Sequence, residues 1–200
     1  MGGLVSWSAL ANSRPDEVSN VTDLITLGTP YLGSQLASLQ LELELADVAV
    51  RLWKRDWTGL DTISDGQGQA VEILTPESPQ RSAILRRKLP GSTDLHVVAG
   101  NEGPIPQSDR SGLAKLAESL VDRMKSSEEM RAKLRTVATA DEIYQGLGDG
   151  AVTLESATWP QKQYPQTVKS LRIFPRSHTG LLRVEESEDE LLDWVLGKIQ

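Results

Sequence analysis

The sequence predicts an α/β fold built on a mostly parallel sheet. Three observations predict it. Three short β-branched runs, Val21 to Leu27, Leu95 to Ala99 and Val168 to Phe174, end at turn residues or loops. The segments between them space apolar residues as amphipathic helices do. The connections are too long for hairpins, so successive strands are joined by crossovers and run parallel. Three strands are few for a sheet that needs helices on both faces, and the count implies that further strands are missing.

Each element has its own signal. Gly2 to Asn12 is small and apolar, the start of a buried helix that Ser13-Arg14-Pro15 breaks. Val21 to Leu27 is a buried strand that turns at Gly28-Thr29-Pro30. Leu36 to Trp53 carries apolar residues at amphipathic-helix spacing, and residues 59–68 are loop-like. Gln80 to Leu89 is a short charged helix stopped by Pro90-Gly91. Leu95 to Ala99 is the second strand, followed by a loop with two prolines. Ser111 to Val137 is the longest helical pattern, with Leu113, Leu116, Leu120 and Val121 as its stripe. Gly146 to Gly150 is a glycine-rich turn, Val168 to Phe174 the third strand, and Glu186 to Ile199 a last amphipathic helix. The acidic run Glu185 to Glu190 suits a solvated helix start.

Composition excludes several functions. The chain has 200 residues, 38% hydrophobic and 24% charged, which fits one globular domain with a real core. A net charge of -7, with basic residues spread out, argues against a nucleic-acid partner. There are no cysteines, so disulfides and thiolate metal sites are excluded and a reducing compartment such as the cytoplasm is allowed. Two histidines make a histidine-rich metal site a poor reading, and no metal is expected. No apolar run is long enough for a transmembrane segment. The opening MGGLVSW lacks the basic start of a secretory signal. It fits the short, degenerate myristoylation pattern through Gly2 and Ser6.

In open α/β sheets, functional groups gather at the carboxyl ends of the strands. The first strand ends in Gly28-Thr29-Pro30-Tyr31-Leu32-Gly33-Ser34, the second leads on to Gly148-Asp149-Gly150-Ala151-Val152, and the third leads to His178. An acid and a histidine from successive strand ends are two parts of a catalytic triad. The acid fixes the imidazole tautomer, and the far ring nitrogen then takes a proton from a serine. Asp149 and His178 are 178 − 149 = 29 positions apart, room for a connection and one strand. Glycines on both sides of Asp149 let the loop turn sharply. Asp141 and Glu142 are weaker rivals for the acid, and ordinary turn chemistry is a rival account of Asp149. His96 sits inside a strand pattern and reads as structural. Thr29 and Tyr31 are candidate pocket-lining residues. Ser34 lacks the second glycine of a nucleophile elbow and reads as a helix N-cap.

Met1-Gly2-Gly3-Leu4-Val5 resembles the second half of a lipase elbow, G-H-S-M-G-G-L-V. Leu24 to Pro30 with Gly33-Ser34 resembles the strand after that elbow, and Gly148 to Val152 through Ser156-Ala157 resembles the acid loop. The acid loop is particularly similar to the G-D-G-x-V loop of the lecithin:cholesterol acyltransferase group. His178 before Leu181-Leu182 resembles the histidine loop. The matches come in the order of the lipase/esterase-type α/β-hydrolases and span nearly the whole chain. The resemblance implies the C-terminal part of an α/β-hydrolase fold, one incomplete domain over residues 1–200, with helical cap insertions at 35–90 and 101–146. It implies that the nucleophile serine lies just before Met1 and that the Met1 amide would serve the oxyanion hole of a longer chain. The chain by itself would then be inactive. The substrate would be a carboxylic ester or lipid, attacked without a cofactor, with Leu36, Leu39, Leu43, Trp53 and Trp57 as an apolar cap lining. The exposed edge of the first strand would favour self-association. Two alternatives remain open: a lipid acyltransferase, and a non-catalytic binding remnant that docks on a partner.

Overall fold

The sheet contains β1 (Asp23–Leu27), β2 (Asp94–Gly100) and β3 (Val168–Phe174), all parallel, in the order β1-β2-β3. They belong to a computed structural model that describes residues 1–38, 54, 69–123, 128–183 and 190–197. Leu24 pairs with Leu95 and Leu27 with Val98. β2 is buried from Leu95 to Gly100, as a central parallel strand covered on both faces must be. Helices pack around this sheet, so the chain is of the α/β class.

Helix α1 (Gly2–Asn12) ends where Ser13 and Pro15 stop it, and Ser13 turns its hydroxyl back to the Ala9 carbonyl. It buries Leu4 and Trp7 in a cluster with Leu24, Leu95, Val97 and Val168. The Trp7 indole N–H, which cannot be left dry without a partner, donates to the Arg87 carbonyl at 2.9 Å. Helix α2 (Gln69–Leu74) was not legible in the sequence pattern. Ser78 caps helix α3 (Pro79–Leu85), with proline at its first position. Leu85 and Leu89 join the Leu4–Trp7 cluster. Within residues 79–89, Leu85 and Leu89 therefore pack with α1 and the sheet. Leu36 lies in a 3-10 turn over Gln35–Ser38. The rest of the expected helix to Trp53, with Leu39, Leu43 and Trp57, lies outside the described residues.

At Gly100 the chain leaves the sheet on an excursion and returns to the same place. Gly146 N–H donates to the Asn101 carbonyl at 2.7 Å, and Ile105 pairs with Tyr144. Within the excursion the structure corrects one expectation. The single helix expected over Ser111 to Val137 is two helices, α4 (Arg110–Arg123) and α5 (Glu128–Thr139). Leu113, Ala117 and Val121 share a buried cluster with Leu134, Val137 and Ala138. An uninterrupted helix would hold Leu113 and Val137 about 36 Å apart. Reversing the chain lets both apolar stripes bury each other instead.

Thr153 caps helix α6 (Leu154–Gln163), which packs on β2. Helix α7 (Glu190–Leu196) lays Leu191 against Val98, Phe174 and Leu181. Residues 186–189, 198 and 199 of the expected last helix lie outside the described residues. No described helix is long and apolar enough to cross a membrane.

Candidate catalytic site

The ends of all three strands converge on Asp149 and His178. The excursion after β2 returns its chain beside Asn101, so Asp149 arrives at the end of β2 although 149 − 100 = 49 positions separate it from Gly100. A Cβ on Gly100 would come within 2.8 Å of the Asp149 Cβ. The turn after β3 brings His178 to the same spot, and its backbone N–H donates to the Asp149 carbonyl at 2.7 Å.

The two side chains meet. His178 Nδ1 lies 2.9 Å from Asp149 Oδ2. The other carboxylate oxygen, Oδ1, accepts the backbone N–H groups of Ala151 at 3.0 Å and Val152 at 2.8 Å. The Asp149 side chain is 1% exposed and that of His178 14%. A buried carboxylate is tolerable only when its lone pairs are used, and here three donors use them. Gly150, at a φ of 102°, turns the loop so that the next two N–H groups face back onto the carboxylate. With Nδ1 donating to Asp149, the neutral imidazole carries its lone pair on Nε2.

The end of β1 forms one wall. Gly28 has a φ of 53°, and a Cβ there would fall 2.9 Å from His178 Nδ1 and 3.1 Å from Asp149 Oδ2. The next residue, Thr29, is buried against Gly3 of α1, where a Cβ would collide with the threonine side chain. The contacts Gly3–Thr29 and Gly28–His178 therefore place the start of α1 on the same edge of the sheet as the imidazole. Met1 is the N-cap of that helix.

The pocket-lining role expected of Thr29 and Tyr31 is corrected. Thr29 is 3% exposed and Tyr31 is fully buried. Tyr31 donates its hydroxyl to Thr26 Oγ1 at 2.9 Å and packs edge-on to Trp7. A phenol that fills the core and has its hydroxyl bonded cannot line an open pocket. Ser34 is 7% exposed, and its Oγ accepts the Leu36 N–H, which is capping geometry. His96 is held on both ring nitrogens, by Ser170 Oγ at 2.6 Å and Asp23 Oδ1 at 2.8 Å, across the three strands. Asp141 pairs with Arg110 at 2.6 Å.

Two further residues build the frame, in roles that the sequence pattern did not assign them. Ser156 accepts the Leu32 N–H and donates to the Gly33 carbonyl, tying α6 to the loop after β1. Glu142, considered only as a rival acid, is 1% exposed and accepts the Gln35 N–H at 2.7 Å. Burial pushes its carboxyl above the usual carboxylate range. A cleft of about 510 Å³ opens beside these residues, with Leu32, Gln35, Glu142 and Ser156 among its walls. Among the described residues no group of three or more His, Asp or Glu side chains is placed to hold a metal ion. No family model, curated protein or solved structure matches this chain.

Proposed function

We propose that this chain carries the acid and base of a Ser-His-Asp hydrolase acting on carboxylic esters or lipids. The observation that carries the reading is the Asp149 Oδ2–His178 Nδ1 contact of 2.9 Å, at the carboxyl ends of the strands. Its support is chemical. Asp149 is anchored by two backbone N–H groups, so its second oxygen can orient the imidazole and stabilise the imidazolium when it forms. His178 acts as general base on the nucleophile hydroxyl, then as general acid on the leaving alkoxide. A second turn of the same chemistry hydrolyses the acyl-enzyme.

The residues Met1 to Gln200 contain no G-x-S-x-G elbow. In this reading the nucleophile is the residue immediately before Met1, and the Met1 amide stabilises the developing oxyanion. Gly2 and Gly3 suit a sharp entry into α1, and Gly3 sits against Thr29 without room for a side chain. The α4–α5 excursion is then a cap, and the outer edge of β1 is the place where a further strand, or a second copy of the chain, would pair. The Gly148-Asp149-Gly150-Ala151-Val152 loop also suits an acyltransferase, in which an alcohol rather than water takes the acyl group from the same intermediate.

The test is fluorophosphonate labelling of the protein expressed from its native coding region, with the labelled peptide sequenced. Expected is a label on a serine adjoining Met1 that His178→Ala abolishes. A protein that takes no label, or is labelled equally in His178→Ala, overturns the proposal.

A further inference from the structure

Glu142 makes two contacts with the acid loop and one with the segment after β1. Its carbonyl accepts the Gly150 N–H at 2.7 Å. Its Cα lies against Gly148, where a Cβ would come within 2.6 Å of it. Its Oε1 accepts the Gln35 N–H at 2.7 Å, on the loop that continues from β1. Both neighbours of Asp149 are thus seated on one residue, and that residue is bonded to the segment whose first turn, Gly28, touches His178.

We infer that Glu142 is a positioning residue: it locks the loop carrying Asp149 to the exit of β1 and so holds Asp149 Oδ2 at His178 Nδ1. The contacts stand by themselves; their catalytic meaning rests on the function proposed above. A surface carboxyl would not serve. Glu142 is 1% exposed. Close packing around the side chain holds it in one geometry. Burial favours the neutral carboxyl, which still accepts the Gln35 N–H. Asp141, beside it, adds to the upward push and is itself paired with Arg110.

The test reads the hydrogen bond directly, in the 200-residue chain. An imidazole N–H donated to a buried carboxylate gives a low-field proton resonance. The chain has two histidines, so His178→Asn assigns it. Expected is loss of the His178 resonance in Glu142→Ala with the circular dichroism of the folded chain unchanged, and its retention in Glu142→Gln, which keeps the acceptor for Gln35. If Glu142→Ala does not fold, Gln35→Pro removes the donated N–H at the first position of its 3-10 turn, where proline is tolerated, and the same loss is expected. Retention of the resonance in a folded Glu142→Ala, or in Gln35→Pro, overturns the inference and leaves the proposed function standing. Its absence from the unsubstituted chain overturns the Asp149–His178 pairing, and both readings with it.

Discussion

Replacing Gly28 with alanine puts a methyl group against both members of the Asp149–His178 pair. Two costs follow from the coordinates. At a φ of 53° the backbone is left-handed, which costs an L-residue about 1–2 kcal/mol. The new carbon would stand 2.9 Å from His178 Nδ1, 3.0 Å from Cε1 and 3.1 Å from Asp149 Oδ2. An ordinary contact needs at least 3.4 Å, so the ring must retreat by about half an ångström. That displacement lengthens a 2.9 Å hydrogen bond to the edge of its range. A hydrogen bond to a charged group is worth about 1.5–3 kcal/mol, and part of it is lost. The sum is about 3 kcal/mol, or about 6–12 °C in the unfolding midpoint of a 200-residue chain. Thermal unfolding followed by circular dichroism measures the first effect, and the low-field imidazole proton measures the second. Gly91→Ala is the control, because nothing lies within 4 Å of its Cβ. A Gly28→Ala chain that melts with the wild type and keeps the resonance would refute the reasoning.

Other substitutions test separate parts of the structure. Trp7→Ala removes a side chain that is 1% exposed and its bond to the Arg87 carbonyl, and is expected to cost about 3–5 kcal/mol in urea unfolding. Gly112→Ala is expected to stabilise by about 0.5–1 kcal/mol in the same assay, because Gly112 lies within α4 with nothing within 4 Å of its Cβ. The Glu142 carboxyl is raised above its ordinary value of 4.5, so the fold favours the protonated form. Its contribution is full below the unfolded-state value and is lost as pH rises through the folded one. Measured against Glu142→Gln, whose amide does not titrate, the unsubstituted chain should lose relative stability as pH rises above the ordinary carboxylate value. A difference that stays constant as pH rises would contradict the raised value. Asp149→Asn keeps an oxygen for the Ala151 and Val152 N–H groups but turns an amide towards His178, so the low-field proton should vanish while the chain stays folded. In a form bearing the nucleophile, esterase turnover should fall by about four orders of magnitude.

Much of this protein was decided by local sequence. Short β-branched runs located all three strands, because a buried parallel strand needs little more than stiff apolar side chains. Ser13-Arg14-Pro15 ended α1, since proline and a side chain that bonds back to the helix act within one turn. Glycines around Asp149 and the position of His178 after β3 marked both members of the pair. Tertiary structure decided what no window of sequence contains. The reversal between α4 and α5 came from two apolar stripes that can only bury each other. Tyr31 went into the core because Trp7 and Thr26, distant or on a neighbouring strand residue, offered it packing and a bond. Glu142 became a fixed point because residues from two separated segments converge on it, and a buried carboxyl is set by what surrounds it in space, not by what adjoins it along the chain.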